Sequence, residues 1–306
     1  MDAVYTAEEI LELTQGRLAS GLMPEDAGAI CSDTRTLEEG EWFIALGGDQ
    51  FDGHDFIGDA FAGGAIGCIV EERPSYSIAN PNFPLIAVDS TYAAFYKLAR
   101  NWRKRISTVS VLLCGDKKEV LDLIRTLERA IDERGKDVQS FYESGKEADA
   151  LDFLLSIDAN TDAVLFALFP DQFGAIERLA RTVQPNVIVL LDGSLEHFRL
   201  SQSPEEILNA KRSLVSAMSR NTGTVIAVDL DPELCAELAE SKNRDVRLFQ
   251  SNYQAGNVMQ ALSSVSGEPG EFEPPQAMSS KAQLPAMPDR INWCLEQILL
   301  CLIRES

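Results

Sequence analysis

Between residues 107 and 250, short and almost wholly apolar runs alternate with segments of helical length. The runs are VSVLLCG (109–115), AVLFALF (163–169), NVIVLLDG (186–193) and TVIAVDLD (224–231), with VRLFQ (246–250) as a fifth candidate. Helices are predicted at about 117–134, 146–157, 173–183, 204–219 and 232–241. A strand without polar alternation has no face it can offer to water. It must be covered on both sides, which is the condition met by a parallel sheet with crossover helices on each face. This stretch therefore predicts a doubly wound α/β domain.

The residues before it show a smaller version of the same alternation. In TAEEILELTQG, Thr6 and Glu9 have capping-box spacing and Gly16 is placed to end the helix. EWFIALGG, GAIGCIVEE and PLIAVDS read as strands, FIGDAFAGG as a helix, and Tyr92 to Lys104 as another helix. The polar RKRIS interrupts the pattern, so the predicted division is 1–106 and 107–258. Two domains suit 306 residues at roughly 150 residues each. Residues 259–289, rich in Pro, Ser, Gly and Glu, read as a linker, and 290–306 as a short apolar helix. Ile291, Leu295, Ile298 and Leu302 share one face of that helix. It must bury that face on its own domain, on a protein partner, or by self-association through residues 290–303.

A net charge of −21, from 27 basic and 48 acidic residues, argues against nucleic acid and anionic lipid as partners. It leaves room for a small anionic ligand in a local basic pocket. The six cysteines form no C-x-x-C pair, so no metal site is predicted and reduced thiols in a cytoplasmic protein are expected. MDAVYTAEEILEL lacks the order of a signal peptide. No apolar run approaches the roughly 20 residues that cross a bilayer.

Residues 31–72 carry the most specific pattern. In order come Ser32-Asp33-Thr34-Arg35, Gly40, Phe43 to Gly48, Asp52-Gly53-His54-Asp55-Phe56, and Gly64-Ala65. This arrangement closely resembles the N-terminal domain of the Mur ligase family, above all the members that join D-alanyl-D-alanine to UDP-N-acetylmuramoyl-tripeptide. The resemblance implies a small Mur-ligase-type α/β domain that holds the UDP end of a sugar nucleotide. It nominates Ser32, Asp33, Thr34, Arg35, Gly48, Asp52, His54 and Asp55 as ligand-binding residues. Taken on their own chemistry, Ser32 and Thr34 offer hydroxyls on a turn, and the Arg35 fork suits phosphate or carboxylate. Arg35 is equally suited to a salt bridge with Asp33 or Asp55. His54 can donate to a diphosphate or brace its loop.

The resemblance implies that the second domain is P-loop-NTPase-like, and there the motifs thin out. The family's T-G-x-x-G-K-T falls on Cys114-Gly115-Asp116-Lys117-Lys118-Glu119. A phosphate-cradling turn needs glycines for its backbone amides and a hydroxyl for magnesium. Here Gly115 stands alone, Asp116 shares the phosphates' sign, and Glu119 replaces the hydroxyl. Gly115, Lys117 and Lys118 are the remnants of a degenerate P-loop or an ordinary strand-to-helix turn. The magnesium-binding glutamate position falls on Phe166 or Ala167, with Asp171 nearby, and the base-contacting N-x-D becomes Ala227-Val228-Asp229. The family's Asn-Asn pair has no counterpart in SFYESGKEAD. EHFRLSQSPEEILNAK does keep the family's histidine and lysine as His197 and Lys211, the only catalytic remnants. No counterpart of the family's third domain follows. The expectation is a Mur-ligase-like protein without ligase activity and without ATP, magnesium or another cofactor. It would bind UDP-N-acetylmuramoyl-peptide, another UDP-sugar, or a protein partner linked to peptidoglycan precursor synthesis. One alternative is an active ATP- and magnesium-dependent carbon–nitrogen ligase, completed by another subunit where the chain lacks groups. The other is a purely structural partner protein.

Overall fold

The structure, a computed structural model, describes residues 3–48, 52–72, 82–115, 117–142, 147–167, 173–191, 209, 212–216, 223–228, 238, 245–249 and 297–299. Along the chain run β1 (Val4–Tyr5), α1 (Ala7–Thr14), β2 (Arg17–Ser20), β3 (Gly28–Cys31) and β4 (Trp42–Ile44). A 3-10 turn (Gly53–Phe56), α2 (Ile57–Ala62), β5 (Gly67–Glu71), β6 (Leu85–Val88) and α3 (Thr91–Arg105) follow. Then come β7 (Val109–Cys114), α4 (Lys117–Asp132), β8 (Val138–Tyr142), α5 (Glu147–Ser156), β9 (Ala163–Ala167) and α6 (Phe173–Val183). β10 (Val187–Leu191), β11 (Thr224–Val228) and β12 (Asp245–Phe249) complete the set. The chain forms two compact units, Met1–Ser107 with Lys146–Asn160, and Thr108–Gly145 with Thr161–Ser306. Helix α5 thus lies between two strands of the second unit in sequence and belongs to the first in space.

The first unit is built on a six-stranded sheet of order β1-β3-β4-β5-β6-β2. Its four central strands are parallel, and β1 and β2 are antiparallel edges. Tyr5, Trp42, Phe43 and Phe95 are buried in this unit. The Tyr5 hydroxyl donates to the Leu98 carbonyl at 2.7 Å, and the Trp42 indole donates to the Tyr5 carbonyl at 3.1 Å. The capping box forms as its spacing predicts, with Glu9 N to Thr6 Oγ1 at 3.2 Å and Thr6 N to Glu9 Oε2 at 3.0 Å. The helix ends differently from expectation. Gln15, at φ 61°, is the left-handed cap. Gly16 is needed for space, since a Cβ there would lie 2.9 Å from the Ala87 carbonyl of β6. α5 packs on α3 and β3, and Trp102 of α3 donates to the Ile157 carbonyl at 3.1 Å.

The second unit is the doubly wound sheet that the apolar runs require. Its six strands are all parallel, in order β12-β11-β10-β7-β9-β8. Strands β7, β9, β10 and β11 are buried along their whole length. α4 lays Val120, Leu123, Ile124, Leu127 and Ile131 on this sheet, at the spacing of one helical face. Ile298, of the C-terminal helix, is fully buried in the same core, with Leu299 against it. Arg247 of β12 donates to the Gln297 carbonyl at 3.2 Å. Ile291, Leu295 and Leu302 lie outside the described residues. Sheet order turns at β7, which has β9 on one side and β10 on the other. In open parallel sheets, ligands bind beyond the carboxyl end of such a strand.

Candidate functional site

The Ser32–Arg35 segment follows β3 and turns sharply. The Asp33 carbonyl accepts the Thr36 amide at 3.0 Å, the Thr36 hydroxyl at 3.2 Å and the Cys31 thiol at 3.2 Å. The Asp33 carboxylate accepts the Arg35 amide at 3.0 Å and the Arg35 Nε at 2.9 Å, and Arg35 Nη2 completes a forked pair. The guanidinium, 84% exposed, is therefore held by Asp33, in the salt bridge that its neighbours allow. Thr34 is half-buried within the turn.

Ser32 reaches further. Its Oγ donates to Asp152 Oδ2 at 2.5 Å, across 120 residues of sequence. Burial pushes the Asp152 carboxyl up to about 6, the Ser32 hydroxyl and amide pull it back, and Asp149 and Asp33 add to the rise. Burial likewise raises the Cys31 thiol, with Glu41 and Asp152 nearby. Tyr92 is raised by burial and by Glu147 and Asp149. This end of the unit is therefore acidic, and Asp152 is the member that no local pattern points to. It stands on a predicted helix, outside that helix's buried residues Ala150, Leu151, Leu154 and Leu155.

The second loop is built as a brace. Gly47 bridges to Asp52. Gly53 donates to the Leu46 carbonyl at 2.8 Å. A Cβ at 53 would lie 2.7 Å from Leu46 N, so only glycine fits. Asp52 caps the 3-10 turn, accepting the His54 amide at 3.0 Å and pairing with His54 Nδ1 at 2.6 Å. His54 Nε2 accepts the Glu71 amide at 2.8 Å. That acceptor role fixes the tautomer with the proton on Nδ1. Both ring nitrogens are thus engaged inside the unit, and the imidazole is 4% exposed. Gly48 and Asp55 are exposed.

In the second unit the turn after β7 sits where the strand order reverses. A Cβ at Gly115 would lie 2.6 Å from the Leu191 carbonyl oxygen and 2.7 Å from Leu191 Cβ at the end of β10. This glycine therefore lets two strand ends approach. Lys117 and Lys118 open α4 and are exposed, whereas Glu119 in the same first turn is buried. Phe166 and Ala167, at the end of β9, are fully buried. His197, Lys211, Asp171 and Asp229 lie outside the described residues. Among the described residues no group of three or more His, Cys, Asp or Glu side chains could hold a metal ion. No helix among them is long and apolar enough to cross a membrane.

No family model matches the chain. Curated relatives do. The UDP-N-acetylmuramoyl-tripeptide–D-alanyl-D-alanine ligase of Bacillus subtilis is 26% identical over 237 residues, 75% of this chain and 50% of the relative. The ligase of the same name from Synechocystis is 28% identical over 189 residues, 61% of this chain and 40% of the relative. The chain spans about half the length of the curated relatives it matches. Among solved structures, MurF from Acinetobacter baumannii superposes with a TM-score of 0.68 at 23% identity, over 80% of this chain and 53% of that one. MurF ligase from Thermotoga maritima, solved in complex with ADP, gives 0.62 at 21% identity, over 74% and 51%. The two mostly parallel sheets are the fold of these enzymes. Likeness in sequence and in fold together make this chain a relative of the Mur ligases, of the kind represented by the D-alanyl-D-alanine-adding enzymes.

Proposed function

We propose that this chain binds a UDP-N-acetylmuramoyl-peptide-type ligand through its first unit, in peptidoglycan precursor synthesis, and does so without ATP-driven ligation. The first part is supported by the substrate in the relatives' names and by the turn and braced loop of residues 31–56. The second part rests on one observation, the turn after β7. Acyl-phosphate chemistry needs phosphate-cradling amides and metal charge to offset developing anion. Here the single glycine is packed on Leu191, and the first turn of α4 buries the Glu119 carboxylate where the family has a hydroxyl.

The relatives favour a second reading directly, because each of those named above is a ligase. On that reading the chain is an ATP-dependent carbon–nitrogen ligase, and magnesium and ATP are its cofactors. Thermal unfolding with UDP-N-acetylmuramoyl-tripeptide, and separately with Mg-ATP, discriminates, since a ligand of the native state raises the melting temperature. The expected result is a rise with the sugar nucleotide and none with millimolar Mg-ATP. A magnesium-dependent rise with ATP establishes the ligase reading instead. Absence of both shifts removes the sugar-nucleotide reading.

A further inference from the structure

Chain topology leaves part of the second sheet without a crossover helix. The connection from β7 to β8, through α4, steps toward one edge of the sheet. Those from β9 to β10, β10 to β11 and β11 to β12 step toward the other. Right-handed crossovers that run in opposite directions place their helices on opposite faces. α4 therefore covers β7, β9 and β8 on one face, and the later connections cover the opposite face. The packing agrees. α4 shares one buried cluster with the sheet, and the buried Leu179, Val183, Leu214, Val215 and Leu238 of the later connections are not members of it. On the α4 side, no crossover helix is assigned to β10, β11 and β12.

That part of the face is nevertheless apolar and buried, through Val187, Val189 and Leu191 of β10 and Ile226 and Val228 of β11. Among the described residues, the cluster holds, besides the strands and α4, only Ile298 and its neighbour Leu299. The edge strand adds a polar point. Register sets Arg247 of β12 beside Ile226, and Ile226 beside Val189, so Arg247 lies on this face. Asp245, two residues earlier on the same face, holds the guanidinium through Nε at 3.0 Å and Nη2 at 2.6 Å. Nη1 donates to the Gln297 carbonyl at 3.2 Å and to Gln297 Oε1 at 3.0 Å, across 50 residues of sequence. The Arg247 side chain is only 14% exposed. A guanidinium so poorly hydrated loses more by giving up such acceptors than an exposed one would.

We propose that the α4 side of β10, β11 and β12 is a helix-docking surface, and that its occupant is the same chain's C-terminal segment 290–306, with Ile298 as the apolar anchor and Arg247 as the residue that sets its register. The strand ladders of the sheet close without this segment. Its docking is therefore a separable contact, which the same segment can remake when supplied as a free peptide.

The test uses the full chain in two measurements. The first is amide hydrogen exchange of parent and Arg247→Gln, with the mass in solution followed over a range of protein concentrations. Residues 297–299 are expected to be protected in the parent, independently of concentration. Arg247→Gln should lower that protection about ten- to hundredfold, the loss of a charge-assisted hydrogen bond, and leave β7 and α4 unchanged. The second is fluorescence anisotropy of a labelled peptide of residues 290–306. The parent, whose surface is already filled, should not bind it. Full-length Ile298→Asp, whose own anchor is spoiled, should bind it saturably, and the same peptide carrying Ile298→Asp should not bind. Unprotected residues 297–299 in the parent would overturn the proposal. So would protection that rises together with a doubled mass, because the occupant would then be a second copy. Equal peptide binding by parent and Ile298→Asp, or none by a folded Ile298→Asp chain, would overturn it too. If Ile298→Asp does not fold, the exchange of parent and Arg247→Gln decides alone.

Discussion

Asp152→Asn should make the protein more stable at neutral pH and leave it nearly unchanged in acid. The ionised carboxylate is partly buried beside two other acids, and its pKa rises from the ordinary 3.8 to about 6. Between those values the folded protein holds the proton more tightly than the unfolded chain. This group's contribution to stability is therefore most favourable below about 4, falls as pH rises through the window, and stays lost above about 6. A rise of about two units corresponds to roughly 3 kcal/mol at 1.36 kcal/mol per unit. Solvent at the partly exposed carboxylate reduces this to about 1–2 kcal/mol. Asparagine is neutral at every pH and nearly isosteric, and it keeps an acceptor for Ser32. The assay is urea unfolding of parent and variant at pH 4.0 and 7.5 at one ionic strength, where the other carboxylates cancel in the difference. The expected gain is about 1–2 kcal/mol at pH 7.5 and less than about 0.5 kcal/mol at pH 4.0. An equal effect at both pH values, or a variant weaker than the parent at pH 7.5 alone, refutes the reasoning.

Three further outcomes follow from the packing. His54→Ala removes both bonds of the brace and strands the Glu71 amide; it should cost about 2–4 kcal/mol in chemical denaturation, and a loss under about 0.5 kcal/mol would mean that water replaces the ring. Gly115→Ala drives a methyl to 2.6 Å from the Leu191 carbonyl and should cost about 1–3 kcal/mol; unchanged stability would show that the two strand ends are not in contact. Ile298→Ala empties a fully buried site in the second unit's core, with an expected loss of about 2–5 kcal/mol; a neutral result would show that the C-terminal helix is dispensable.

The strands of the second unit were readable because a strand buried on both faces must be apolar throughout, and the code for that is local. β8 was missed for the converse reason. It is an edge strand whose Gln139 and Ser140 stay half-buried, and of its five residues only Phe141 is buried. In the first unit, β1 to β3 are two to four residues long and carry no period to detect. The boundary residues of α1 were misread in one detail. A glycine after a helix suggests a left-handed cap, but Gln15 takes that conformation and Gly16 is small because β6 passes over it.

The motif of residues 31–56 was legible as a pattern, and with it the relationship to the Mur ligases, because order and spacing are properties of the chain. What each motif residue does was not legible. Whether Arg35 faces a ligand or Asp33, and whether His54 donates outward or braces, depends on which partners come within 3 Å. Asp152 shows the limit most plainly. By itself the sequence determined that a helix would run near 146–157, with an apolar side to bury, since hydrophobic periodicity is local. Only the tertiary structure decided that this helix, interposed among the strands of the second sheet, packs in the first unit and brings a carboxylate to Ser32, because contacts between residues 120 positions apart follow from packing and not from neighbouring sequence.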